Sequence, residues 1–304
     1  MKKGFGLLLA LLLGGIAVTG CGGGDSAPTG AGATPSDSQT SASESTLEKA
    51  RKQGYITVGF ANEKPYAYAT PDGKLTGEAV EVARVVLNKL GIKEVNGVLT
   101  EFGALIPGLK AKRFDMITAG MFITPERAKE VLFANPEYSI GEAIAVKKGN
   151  AAGLRSYADI AKNKDIKVAA MVGAIEEQYL TKSGVAKEQI VTVPDQPSAI
   201  SALQSDRVQA VTMTGPALQA MLDSAKDGNL ERVADFEQPT IDGKSVRGFG
   251  AAAFRPGEDE FVKAYNAELA KLESSGELLN ILEPFGFTKD ELPGGKTAEE
   301  LTKP

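Results

Sequence analysis

The chain has 304 residues, enough for two domains, and an ordinary globular composition of 42% hydrophobic and 24% charged residues with a net charge of −5. It contains neither His nor Trp. The missing His removes the usual general base and the commonest metal ligand, and it excludes catalysis by a Ser-His or Cys-His pair. The acidic balance argues against a nucleic-acid partner.

Lys2 and Lys3 precede an apolar run from Phe5 to Val18 that is too short and too Gly-rich for a comfortable membrane span. Val18-Thr19-Gly20-Cys21 then resembles a bacterial lipobox, with two small residues before the chain's single Cys. A lone Cys cannot form an internal disulfide, so lipidation of Cys21 explains it better than an ordinary secretory signal does. Residues 1–20 are thus expected to be a lipoprotein signal peptide, removed from a protein anchored outside the cytoplasm. Cleavage would remove two Lys and no acid, taking the net charge from −5 to −7. Residues 21–46 are mostly Gly, Ser, Thr, Ala and Pro, too poor in apolar bulk to fold, and read as a disordered tether.

From about Thr46 the pattern alternates. Ile56–Phe60 reads as a strand. Ala79, Val82, Ala83, Val86, Leu87 and Leu90 follow helical spacing that Gly91 ends. Leu99–Phe102 reads as a strand, Leu105–Ala111 as a short helix and Met116–Met121 as a buried strand. Strand patterns return at Val168–Met171, Ile190–Val193 and Ala210–Met213. Phe261, Ala264, Tyr265, Leu269 and Leu272 mark a late helix. This alternation predicts an α/β fold with mainly parallel sheets. A faint repeat aligns Ala104–Gly120 with Ser198–Thr214, matching Ile106 with Ile200, Leu109 with Leu203, Arg113 with Arg207 and Thr118 with Thr212. Two similar lobes would leave a cleft at their strand ends and could close over a ligand there.

Several blocks then occur in a familiar order: Asn62–Tyr66, Glu101–Leu109, Arg113–Asp115, Ala119–Arg127 and Gly250–Arg255. From about residue 47 to 290 the chain resembles the polar-amino-acid-type solute-binding proteins of ABC importers. Ala61–Tyr66, Phe102–Leu109, Phe122–Arg127 and Val193–Ser198 most resemble the ectoine- and hydroxyectoine-binding members. The resemblance implies a two-lobed, type II periplasmic-binding-protein-like fold with two crossover hinges, near Tyr138–Gly141 and Ser245–Phe249. Lobe one would be residues 47–139 plus 248–304 and lobe two 141–246. It implies a small zwitterionic ligand, permease subunits as partners, a monomer, and no cofactor, metal or catalysis.

Carried over residue by residue, the resemblance gives Arg127 the ligand carboxylate, a role that suits a planar fork of charged donors. The alternative for Arg127 is a surface pair with Glu126 or Glu130. Tyr66, Phe102 and Phe122 match an aromatic box, whose ring faces attract diffuse cations. Core packing is the alternative for all three. Glu63 either accepts a hydrogen bond from a cationic N–H or is a solvated loop acid beside Lys64. Amino-acid binders of the family carry an acid where this chain has Thr214, and their Gly-Thr-Thr-like turn is replaced by Gly173-Ala174-Ile175-Glu176. Without that acid a compact ammonium would be buried unpaired, whereas ectoine's delocalised cation suits aromatic faces. Glu176 either replaces the acid from the other lobe or interacts with its own helix dipole. Glycine betaine and a polar amino acid are the rival ligands. A cyclic-acid dehydratase on the same fold is the rival function, with Glu63 or Glu176 as general acid.

Overall fold

The computed structural model describes residues 44–241 and 243–303. Cys21, the signal peptide and the tether up to residue 43 lie outside the described residues. Folding begins slightly earlier than composition indicates. Ser45 and Thr46, expected at the end of the tether, belong to the first helix, Thr46–Gln53. Ser45 caps it in a capping box with Glu48, and Gly54 ends it in the left-handed region. The Thr46 hydroxyl accepts from Arg255 at 2.9 Å, which ties this helix to the far end of the chain.

Two sheets follow. The first has the strand order Glu94–Leu99, Tyr55–Phe60, Met116–Phe122, Gly248–Phe254 and Leu132–Phe133, with Tyr138–Ile140 also paired to Gly248–Phe254. The second has the order Ile190–Val193, Val168–Met171, Ala210–Thr214, Glu142–Lys147 and Leu230–Arg232. Helices pack against both, giving the two-lobed α/β fold. Among the described residues, no helix is long and apolar enough to cross a membrane.

The sheets are less parallel than the alternation predicts. Tyr55–Phe60 pairs in parallel with both of its neighbours, as Val168–Met171 does in the second sheet. Gly248–Phe254 and Glu142–Lys147 run antiparallel to the central strands. Both are the first strands after the chain crosses between sheets, so no helical crossover forces them into parallel register. The predicted strand Leu99–Phe102 is shifted as well. The real strand, Glu94–Leu99, lies at the sheet edge with Glu94, Asn96 and Leu99 exposed, so its apolar alternation is weak. Phe102 instead opens a short 3₁₀ turn.

The sequence repeat has a structural counterpart. Lys112 and Asp206 both have positive φ, 58° and 59°. The next residues, Arg113 and Arg207, donate their backbone N–H to Gly108 and Ala202. Asp115 and Gln209 then start the central strands by bonding Thr57 and Lys167 of the neighbouring strands. Thr118 and Thr212, matched in sequence, are both buried on those strands.

The chain passes from the first sheet to the second at one residue, Gly141, between the strands Tyr138–Ile140 and Glu142–Lys147. It re-enters the first sheet at Gly248. The two crossings are themselves paired, Ile140 with Gly248, Ser139 with Phe249 and Tyr138 with Gly250. Gln238 braces the junction, accepting from the Glu142 N–H at 2.7 Å and donating to the Glu142 carbonyl at 2.8 Å. A Cβ on Gly250 would stand 2.2 Å from the Tyr138 ring, and one on Gly248 1.8 Å from the Phe122 ring. Glycine at these positions leaves space for two aromatic side chains. Gly250→Ala is expected to destabilise the protein by about 1–3 kcal/mol through overpacking. Urea unfolding checks this, and an unchanged midpoint would mean the Tyr138 ring has free space to move.

Candidate ligand-binding site

The strand ends of the two lobes face each other across one cavity. Glu63, Tyr66, Phe102, Phe122 and Arg127 border it from the first lobe, and Glu176 and Thr214 from the second. All seven residues singled out in the sequence are therefore brought together. The cavity has about 520 Å³ of empty space, counted with the open solvent at its mouth. That is room for a compact solute.

The aromatic wall has a fourth member, Tyr138, and Phe287 packs behind it. The Tyr66 and Tyr138 rings stack with centroids 5.4 Å apart, Phe122 lies 6.3 Å from Tyr138, and Phe287 lies 5.1 Å from Tyr138. Gly120, at φ 60°, lets the wall close, because a Cβ there would stand 2.7 Å from both Tyr66 and the Tyr138 hydroxyl. That hydroxyl donates to the Gly120 carbonyl at 2.8 Å, which fixes the ring. Phe102 plays a different part from the other two box residues. Its ring carries the Arg127 guanidinium, with 5.4 Å between the guanidinium carbon and the centroid. One face of Phe102 thus positions the cation of the protein.

Arg127 makes no ion pair with Glu126 or Glu130, and Glu130 pairs with Lys110. The guanidinium donates instead to the Phe122 carbonyl at 2.9 Å and, across the cleft, to the Gly173 carbonyl at 3.0 Å. The local fold explains its aim. Thr124 caps the short helix Pro125–Ala128, accepting the Arg127 N–H, and this turns the side chain back over the end of the Met116–Phe122 strand. A guanidinium has five N–H donors, so two carbonyls leave others for a ligand carboxylate.

Two more hydrogen bonds close the cleft. The Tyr66 and Thr214 hydroxyls lie 2.5 Å apart, and Gln196 donates to the Glu63 carboxylate at 2.9 Å. Glu63 is 7% exposed, so it is no solvated loop acid; Lys64 lies over the Tyr68 ring instead. Burial first, and the neighbouring Glu176 second, push Glu63 up to about 8, against Gln196 and Arg127. Glu176 opens the helix Glu176–Lys182 and is buried on the cavity wall. Burial raises its pKa, while its own backbone N–H and Arg127 pull it down.

The sequence reading missed Tyr138, Gln196 and Thr212, which also line the cavity. Gln196 lies within the Val193–Ser198 stretch, where a signal was available. Thr212 was flagged only by the repeat. Tyr138 was placed only at a crossover.

The Bacterial extracellular solute-binding proteins, family 3, match this chain over residues 56–288. The chain belongs to that family. As a member it works outside the cytoplasm, binding a solute for the permease subunits of an ABC importer. A probable amino-acid ABC transporter periplasmic-binding protein, y4tE of Sinorhizobium fredii, is 38% identical over 84% of this chain and 85% of its own length. Among solved structures, EhuB in complex with hydroxyectoine is 37% identical with a TM-score of 0.77, covering 85% of this chain and 98% of that one. An ancestral amino acid-binding protein, a precursor of cyclohexadienyl dehydratase, is 27% identical with a TM-score of 0.68, covering 79% of this chain and 99% of that one.

The contact between Tyr66 and Thr214 can be tested directly. Tyr66→Phe keeps the ring and removes one hydrogen bond between the lobes, typically worth about 1 kcal/mol. Ligand affinity is expected to fall about fivefold by calorimetric titration. A loss above a hundredfold would mean that the hydroxyl contacts the ligand itself.

Proposed function

We propose that this family member captures ectoine or hydroxyectoine, compact zwitterions that pair one carboxylate with a delocalised cyclic cation. The observation that carries this reading is the pairing of Arg127, stacked on Phe102 and in no ion pair among the described residues, with the Tyr66 and Phe122 rings in one small cavity. Arg127 receives the carboxylate as a charge-assisted, forked pair. Tyr66 and Phe122 face the cation. Glu63 accepts its N–H, taking over from Gln196. Thr214 stands where amino-acid binders carry an acid, and its hydroxyl is held by Tyr66. The relative crystallised with hydroxyectoine supports the assignment.

Residues 47–139 with 248–304 form one moving lobe and residues 141–246 the other, hinged at Gly141 and Gly248. Direct bonds from Arg127, Tyr66 and Gln196 join the lobes in the closed form. Cys21 carries the lipid that keeps the protein at the membrane, with residues beyond it as the tether.

Calorimetric titration with ectoine, glycine betaine, L-glutamine and L-arginine tests the ligand. Ectoine is expected to bind tightest. Micromolar binding of glutamine or arginine without ectoine binding would overturn the assignment and leave solute binding intact. Arg127→Ala is expected to weaken ectoine binding most, by about 3–5 kcal/mol, because a buried carboxylate loses its partner. Phe122→Ala is expected to cost less, about 1–3 kcal/mol. Recovery of chemically changed ectoine after incubation would favour the dehydratase reading. For the anchor, Cys21→Ser is expected to release the protein from membranes on fractionation, and an unchanged membrane fraction would refute lipidation.

A further inference from the structure

The closed cleft contains more acid than its one Arg can balance. Glu63 and Glu176 line it, and a third carboxylate lies directly behind them. Glu142 pairs with Thr214 across the second sheet, and Ile144 pairs with Thr212. Opposed residues of an antiparallel pair project to the same face. The Thr214 hydroxyl reaches into the cleft to Tyr66, so Glu142 projects from that same face of the sheet, behind the cavity lining. It is 3% exposed. Neither of its carboxylate oxygens has a hydrogen-bond partner among the described residues, and neither has Oε2 of Glu176 or Oε1 of Gln196.

Three carboxylates beside one guanidinium would leave two uncompensated negative charges in a dry site. Each would lack the hydrogen bonds that make a buried charge tolerable. A zwitterionic ligand adds no net charge, but its cation placed against the acids can stand in for a proton there while its carboxylate pairs with Arg127; without a ligand, protons must offset the acids.

We propose that Glu142 is a third acid of the ligand site, and that Glu63, Glu142 and Glu176 together hold a proton in the empty closed cleft which a cationic ligand displaces. Uptake is then an exchange in which the ligand's cationic end takes the proton's place beside the acids, its carboxylate pairs with Arg127, and the proton leaves a carboxyl oxygen for the solvent. The other groups around the cluster do not supply that charge. Tyr66 and Tyr138 are buried on the first-lobe side, and Tyr157 and Tyr179 face Glu142 and Glu176 from the second. Burial pushes all four phenols upward, so they stay neutral donors. Arg127 is the one cation among the groups acting on the cluster, and burial draws its pKa down. The carboxyls move the other way. Burial raises Glu142, with Glu176 adding to the rise, and Glu63 reaches about 8. The protons belong to the cluster as a whole, because interacting sites titrate together.

The sign follows from the charges. A bound cation favours the ionised carboxylates and lowers their pKa values, so the complex carries fewer protons than the free protein. Affinity therefore rises with pH from the titration range of the complex up to that of the free protein, about pH 8 for Glu63. The acids also act on selection. They give the site a cation requirement that Thr214 alone does not provide, and they reject ligands that carry only a carboxylate.

The inference rests on the proposed function in one respect, that the ligand carries a cation. Calorimetric titration of the purified protein with ectoine, in pH 7 buffers of different ionisation enthalpy, counts the protons released. About one proton per ligand is expected, with binding roughly three- to tenfold tighter at pH 7 than at pH 6 and level above about pH 8. Ectoine binding without proton release at any pH from 6 to 8 would overturn the inference while the ligand assignment stood. Glycine betaine, L-arginine and L-glutamine are titrated in parallel. If ectoine does not bind, the ligand assignment fails and the proton count is read on whichever of these does. If none of the four binds, both readings fail. Glu142→Gln is expected to fold, bind, and lose at least half of the proton release, since the amide mimics the protonated carboxyl. Undiminished release in that variant would remove Glu142 from the cluster. Should Glu142→Gln not fold, Glu176→Gln must show the same loss, and undiminished release there overturns the shared proton.

Discussion

The antiparallel pairing of the two crossings, Tyr138–Ile140 with Gly248–Gly250, is the constraint on which the site depends. It joins the lobes through two adjacent strands and a single-residue junction, Gly141. Under the proposed hinge, the lobes turn about this short two-stranded ribbon. The same ribbon builds the aromatic wall, because Tyr138 lies on it and Gly248 and Gly250 lack the side chains that would displace Phe122 and Tyr138. Arg247 reinforces it by donating to both the hydroxyl and the carbonyl of Ser139, at 2.8 and 2.9 Å. The hinge and the binding surface are therefore one element, and ligand contact with the wall bears directly on the pivot.

Closure is a balance of small terms. Arg127 to Gly173, Tyr66 to Thr214 and Gln196 to Glu63 are three hydrogen bonds between lobes. At about 0.5–1.5 kcal/mol each they favour the closed form by a few kcal/mol. Burying the acids opposes them. A ligand shifts this balance only by what it gains in the closed state alone, and the groups waiting for it are those the closed protein leaves short of partners. The spare donors of Arg127 and the orphaned oxygens of Glu142 and Glu176 lie on opposite sides of the cleft. A dipolar solute aligned between them satisfies both at once, which neither an anion nor an apolar molecule can do.

Much of this was legible in the sequence. The central strands, buried on both faces, announce themselves as apolar runs, and Met116–Phe122 and Ala210–Thr214 were found almost to the residue. The edge strand Glu94–Leu99 was misplaced because polar Glu94 and Asn96 and apolar Leu99 are all exposed, so no apolar alternation marks it. Arg127, Tyr66, Phe102 and Phe122 were readable because they fall in contiguous blocks. Phe102 as a platform for Arg127 was not, since that depends on how two loops approach each other. Glu142 carries no local signal at all. It is one acid at the start of an apolar strand, and only its register opposite Thr214 reveals which face it takes.

The crossing segment carries a buried acid at each end, and the two are placed alike. Glu137 lies just before the paired strand and is coupled to Glu78, the first residue of the helix Glu78–Lys89. Glu142 lies just after the junction and is raised by burial and by Glu176, the first residue of the helix Glu176–Lys182. Each hinge acid thus faces a helix-opening acid of its own lobe. Two carboxylates cannot both ionise cheaply in a dry pair, so the carboxyls of each pair are pushed upward. The first pair has no access to the cleft. Tyr265 donates to Glu137 at 3.0 Å, and burial still pushes Glu137 up to about 8. Because its folded pKa lies above the unfolded value, the stability it contributes is complete below the ordinary carboxylate range. That stability declines as pH rises toward about 8. In the second pair Glu176 borders the cavity, where under the proposed exchange a cation replaces the proton. The same arrangement thus has two consequences, set only by access: a fixed proton that holds the first lobe together, and an exchangeable one that makes the second responsive to ligand.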